Sequence, residues 1–192
     1  MASSARLSLE EIVELEPETD VNLMIVGSRE RGIILHKLME EVLTGETDDD
    51  EAALLARAHD LRAQLIRSDA ATAYRDADPA EMAATVRRTL TLPQIAAMRS
   101  RMVPEVSVGL SDRGEKIERV TAGVVDTVIL RDGSTAEIEA VVDWKSDVHP
   151  DASTMRAYRE QACDYLRALG LGKGYIVYMT MGKIDEVVAL AA

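Results

Sequence analysis

The chain has 192 residues, 47% of them hydrophobic, with no Phe, one Trp, five Tyr, one Cys and a formal charge of −12. That length suits one domain spanning 1–192 with an aliphatic core, and the lone Cys163 excludes an internal disulfide, a cysteine-based zinc site and a four-cysteine iron–sulfur cluster. The acidic balance weighs against autonomous tight binding to nucleic acid, and no run approaches the roughly 20 apolar residues of a membrane span, so a cytoplasmic protein with no membrane association is expected.

The N-terminal "MASSARLSLEE" lacks the apolar core of a signal peptide. "RERGIILHKLMEEVLTG" follows, with apolar residues at Ile33, Ile34, Leu38, Met39 and Val42 and a stop at Gly45, which predicts a helix. His36 and Glu40 share one of its faces. The acidic "ETDDDE" reads as an exposed loop, and Glu40 and Glu41 as a solvated helix end. "EAALLARAHDLRAQLIRS" predicts a second helix; "PAEMAATVRRTL" and "LPQIAAMRSRM" predict shorter ones opened near prolines.

After Pro104 the pattern changes to alternating, β-branched residues. "EVSVGL", "IERVTAGVVDTVIL" and "STAEIEAVVDWK" predict strands, the last two joined through "RDGS", where Asp-Gly signals a hairpin. "ASTMRAYREQACDYLRALG" predicts a helix closed by Gly170, and "GYIVYMTM" and "IDEVVAL" predict two closing strands. Helices first, then strand-strand-strand-helix-strand, give an α/β fold: a small mixed sheet at 104–192 flanked by helices, behind a mainly helical 1–103.

"DWKSD" ends an apolar strand. Alternation puts Asp143 and Lys145 on one face and Trp144 on the other. A carboxylate beside an ammonium is commonly a surface ion pair of about 0–1 kcal/mol, or it is half of a metal-dependent phosphodiesterase site. Local chemistry leaves both readings open. It likewise leaves His36 as an ordinary helix histidine, Gln161 and Tyr165 of "QACDY" as a solvated helix face, Ser146 and Asp147 as loop caps, and Cys163 as a packed side chain.

Taken in order, "RGIILHKLMEE", "GVVD", "VVDWKSD", "YREQACDYLRAL" and "GYIVYMTMGKIDEV" resemble the RecB-like nucleases of the PD-(D/E)XK superfamily, the nuclease domains of bacterial recombination helicase-nucleases. The resemblance runs from about Gly32 to Val187. It implies a restriction-endonuclease-like core and a Mg²⁺- or Mn²⁺-dependent deoxyribonuclease, an exonuclease acting in DNA repair and recombination. His36, Asp126, Asp143 and the backbone carbonyl of Trp144 would hold the metal, and Lys145 would face the reacting phosphate. Gln161 and Tyr165 would orient Lys145 or a phosphate oxygen, completing a catalytic set of Asp126, Asp143, Lys145, Gln161 and Tyr165. Glu105 resembles a family acid ahead of the first strand.

DNA, as single strands or duplex ends, is the implied partner, together with a helicase subunit or domain. No G-x-x-x-x-G-K-[ST] loop is present, so no nucleotide cofactor is expected. The rival reading is a catalytically silent nuclease-like module that guides DNA or braces a helicase; an acidic protein-interaction domain is a third. One geometric condition attaches to the nuclease reading. A two-residue turn at Asp132-Gly133 would set Asp126 opposite Glu139, about 13 Å from Asp143. The loop must therefore be longer, or a bulge must bend the strand.

Overall fold

The computed structural model describes residues 27–68, 77–113 and 118–189. Among these residues four helices come first: α1 (Arg29–Thr44), α2 (Glu51–Ser68), α3 (Pro79–Leu90) and α4 (Pro93–Met98), the last running into a 3₁₀ turn at Arg99–Arg101. Then follow β1 (Met102–Arg113), β2 (Glu118–Leu130), β3 (Ile138–Lys145), α5 (Ala152–Leu169), β4 (Lys173–Tyr178) and β5 (Lys183–Val188). The expected α/β order is present.

Local chemistry sets the helix ends. Ser28 accepts the Arg31 backbone N–H at 3.1 Å to open α1, and Gly45, at φ 81°, closes it in the left-handed region that glycine enters without a Cβ penalty. Asp78 caps α3 ahead of Pro79, and Asp151 caps α5 by accepting the Thr154 N–H at 2.7 Å. Asp151, not Ser146 or Asp147, is therefore the cap before α5.

The five strands of the described residues lie in chain order across one sheet. β3 and β4 are parallel, joined by the α5 crossover, and every other neighbouring pair is antiparallel. Both sheet faces are covered. Ala140, Val142, Trp144 and Val177 join a cluster with the buried faces of α1 to α4, while Val141, Ile176 and Tyr178 pack with Ala162 and Leu166 of α5. Alternation along β3 and β4 thus feeds two cores. No helix among the described residues is long and apolar enough to cross a membrane.

Two charged residues of α1 are buried. Glu41, read from sequence as solvated, is 2% exposed and takes two bonds from the Arg57 guanidinium, both 2.7 Å, plus one from the Thr47 hydroxyl. The Arg57 bonds hold its carboxyl below the usual range, against burial, which pushes the other way. Arg31 is 1% exposed and pairs with Glu81 of α3. Each side chain joins two helices, because a buried charge is tolerated only with a partner.

Candidate active site

The sheet opens where β2 and β3 part, and the site lies in that fork. The β2–β3 connection spans residues 131–137, with Gly133 at φ 74° and a register shift between Ile129 and Leu130. It is longer than a two-residue turn and also irregular, which meets the geometric condition set by the sequence. The ladder pairs Val128 with Val141 and Thr127 with Val142, so the next row sets Asp126 opposite Asp143.

At that row a side chain replaces the ladder. Trp144 donates its backbone N–H to Asp126 Oδ2 at 3.0 Å. Lys145, one residue on, faces the other way, its carbonyl accepting from the Met179 N–H at 2.9 Å. Alternation then points the Trp144 carbonyl into the fork beside Asp126. The indole fixes this segment from behind: Trp144 is buried and donates Nε1–H to the Thr127 hydroxyl at 3.0 Å.

Asp143 Oδ2 lies 2.8 Å from Lys145 Nζ, and both side chains are mostly buried, 25% and 16% exposed. Burial pushes the Asp143 carboxyl above its ordinary range and the neighbouring Asp126 charge adds to the push, while Lys145 opposes it. His36 Nδ1 stands 3.8 Å from Asp126 Oδ2, beyond hydrogen-bonding distance, on the α1 side of the fork. Gly32 of α1 packs against the residue just past β3: a Cβ there would lie 2.8 Å from Ser146 Oγ.

His36, Asp126, Asp143, Lys145, Gln161 and Tyr165 all line one cleft of about 290 Å³. The sequence-predicted set is thus gathered in one place. Glu105 falls across β1 from Asp126, between the pairs Pro104–Thr127 and Val106–Val125, making a row of three acids over three strands. Its φ of 52° is the one left-handed non-glycine backbone among the described residues, a conformation that costs about 1–3 kcal/mol and concentrates at functional sites. Burial and the charges of Asp126 and Glu40 push its carboxyl upward.

Sequence reasoning passed over two residues. Arg31 donates to the Ser146 carbonyl at 2.7 Å, holding the chain just past Lys145. Tyr158 places its ring 4.3 Å from Lys145 Nζ and donates its hydroxyl to Asp147 at 3.0 Å, so Asp147 is engaged by α5 and not by its own loop. Tyr158, Gln161 and Tyr165, at i, i+3 and i+7, share a helical face, and that periodicity was the available signal.

The donor set suits a hard cation. Two carboxylates and one backbone carbonyl match Mg²⁺, which takes few protein oxygens and keeps several waters, while the His36 imidazole is a softer nitrogen donor. A cation between Asp126 and Asp143 would favour their charged forms, against the burial and the Asp126 repulsion that raise the Asp143 carboxyl. No three His, Cys, Asp or Glu side chains among the described residues form a ready cation cage; the tight Asp143–Lys145 pair and the Trp144 bond to Asp126 occupy the carboxylates instead.

No curated protein matches the sequence significantly. A solved structure described as "Crystal structure of SSO0001" aligns over 86% of this chain and 80% of its own, with 17% identity and a TM-score of 0.40. The sequence pattern of the PD-(D/E)XK nuclease superfamily matches residues 3–185, nearly the whole length. The chain belongs to the PD-(D/E)XK nuclease superfamily.

Proposed function

We propose that this chain is a single nuclease domain of the RecB-like kind that hydrolyses phosphodiester bonds in DNA with Mg²⁺ or Mn²⁺. The observation that carries the reading is the register that sets Asp126 opposite Asp143 with Lys145 paired to it in the same cleft. Asp126, Asp143, the Trp144 carbonyl and His36 would hold the metal, which when bound supplies Lewis acidity and a water activated for attack.

The chain's own residues do the rest. Lys145 brings a positive charge to the phosphate and offsets the negative charge that grows as water adds. Gln161 and Tyr165, uncharged donors on α5, orient a non-bridging phosphate oxygen. Trp144, anchored behind the sheet, keeps the backbone of the site from shifting as charge is redistributed. With a charge of −12 and no nucleotide-binding loop, the domain depends on a helicase subunit or domain to deliver DNA, and acts on it as an exonuclease in repair and recombination.

The test is incubation of purified protein with linear and circular DNA, single- and double-stranded, in Mn²⁺. Linear DNA is expected to shorten and circles to survive, with Asp143→Asn inactive. Cut circles would replace exonuclease by endonuclease. Binding in Ca²⁺ with no cleavage in Mn²⁺ would favour the silent guiding module. The metal is assigned to chemistry and not to folding, since two apolar cores flank the sheet. EDTA is therefore expected to leave the far-UV dichroism unchanged and to lower the melting temperature by no more than loss of a bound ligand costs, whereas unfolding by EDTA would mark a structural metal.

A further inference from the structure

We propose that Tyr158 is the positioning residue that holds the Lys145 ammonium in the cleft through the face of its ring. The inference rests on the nuclease reading and adds to its catalytic set. Lys145 Nζ lies 2.8 Å from Asp143 Oδ2 and 4.3 Å from the centre of the Tyr158 ring. The two contacts are not equivalent. Asp143 is a carboxylate at the mouth of the metal fork, and a divalent cation binding there competes for the same oxygen lone pairs that hold the ammonium.

The ring attracts the ammonium through its quadrupole and offers a cation no carboxylate. It can therefore keep Lys145 in place once Asp143 is engaged elsewhere. The ring is itself anchored, because its hydroxyl donates to Asp147 Oδ2 at 3.0 Å, two residues beyond Lys145. The phenol also stays a donor: burial, with the Asp147 bond and charge, pushes its pKa up to about 12. Tyr158 thus closes a loop from β3 through Asp147 to α5 and back to Lys145. Its side chain is half-buried and packs against the α5-side core, so the ring has little freedom to turn away.

Two substitutions separate ring from hydroxyl. Tyr158→Phe keeps the ring over Lys145, and Tyr158→Leu removes it. The chain has five lysines, so ¹³C-lysine labelling gives a spectrum in which the Lys145 side chain is assignable from the peak lost in Lys145→Arg. Its ε-methylene signal is expected to be shifted upfield by the ring, with and without Mg²⁺, in the parent and in Tyr158→Phe. Tyr158→Leu should lose that shift. In cleavage assays Tyr158→Leu is expected to lose about tenfold in kcat with little change in KM, while Tyr158→Phe stays within about threefold of the parent.

A Lys145 signal that moves to its unshifted position when Mg²⁺ is added to the parent would overturn the inference. So would a Tyr158→Leu variant with parental kcat, or a Phe variant as slow as the Leu variant while its Lys145 signal stays ring-shifted. In those cases the parent still cuts, and the nuclease reading stands. A parent that cuts no DNA would refute that reading, and the catalytic use of the contact with it.

Discussion

Lys145→Ala is expected to lower single-turnover cleavage by about a hundredfold or more, roughly 3 kcal/mol of barrier, the usual size of a lost, pre-positioned electrostatic contact. The expectation follows from the enclosure of Lys145. Its side chain is 16% exposed, held by Asp143 at 2.8 Å and by the Tyr158 ring, so its charge acts in a poorly solvated cleft where water screens it little. Metal binding should survive the substitution or tighten, because Asp143 loses the cation that now competes for its oxygens. Lys145→Arg is a poor substitute, since a planar guanidinium does not fit the seat of a compact ammonium. A rate for Lys145→Ala within a fewfold of the parent would reduce "DWKSD" to a structural ion pair.

Arg31→Met is expected to destabilise the fold by about 3–5 kcal/mol, the range for breaking one side of a buried ion pair. Arg31 is 1% exposed and spends its donors on Glu81 at 2.7 and 2.8 Å, the Ser146 carbonyl at 2.7 Å and the Thr180 hydroxyl at 3.1 Å. Its loss strands the Glu81 carboxylate, which is 18% exposed and keeps the Thr85 hydroxyl bond and the more distant charge of Arg88. For a chain of this size the melting temperature should fall by about 10 °C. Arg31→Met combined with Glu81→Leu should recover much of the loss, because an apolar pair replaces an orphaned charge.

The same pair sets an acid limb of stability. Burial pushes the Glu81 carboxyl up, yet bonds from Arg31 and Thr85 outweigh it and hold the group below the usual carboxylate range. A depressed carboxyl contributes stability that is present above the unfolded pKa and is lost as pH falls through the folded one. Denaturant midpoints should therefore drop below about pH 4.5, and less steeply in Glu81→Gln. Equal slopes in the two proteins would remove Glu81 from the acid response.

The elements were legible because their signals are local. Apolar spacing marked α1 and α2, Gly45 and Gly170 marked helix ends, and alternation marked β2 and β3 with Asp143 and Lys145 on one face. The acid pairing was legible only as a condition, since the register of β2 on β3 depends on a loop and a bulge that the Asp-Gly signal does not specify. Glu41 was misread because its partner Arg57 lies a helix away. Arg31 escaped notice for the same reason: its contacts reach across 50, 115 and 149 residues of sequence. Tyr158 shares the helical face of Gln161 and Tyr165, yet that periodicity does not specify its contacts with Lys145 and Asp147, which lie on another element.

The central claim is that Asp126 and Asp143 share one cation at the strand fork. Calorimetric titration with Mn²⁺ of the parent, Asp126→Asn and Asp143→Asn, each checked for an unchanged melting curve, tests it without any substrate. The account requires one saturable site in the parent and, since each substitution removes a charge from the metal's immediate shell, affinity lowered about tenfold or more in both variants. Parental affinity in either variant would contradict it, because that carboxylate would then not be a ligand and the fork would not be the metal centre.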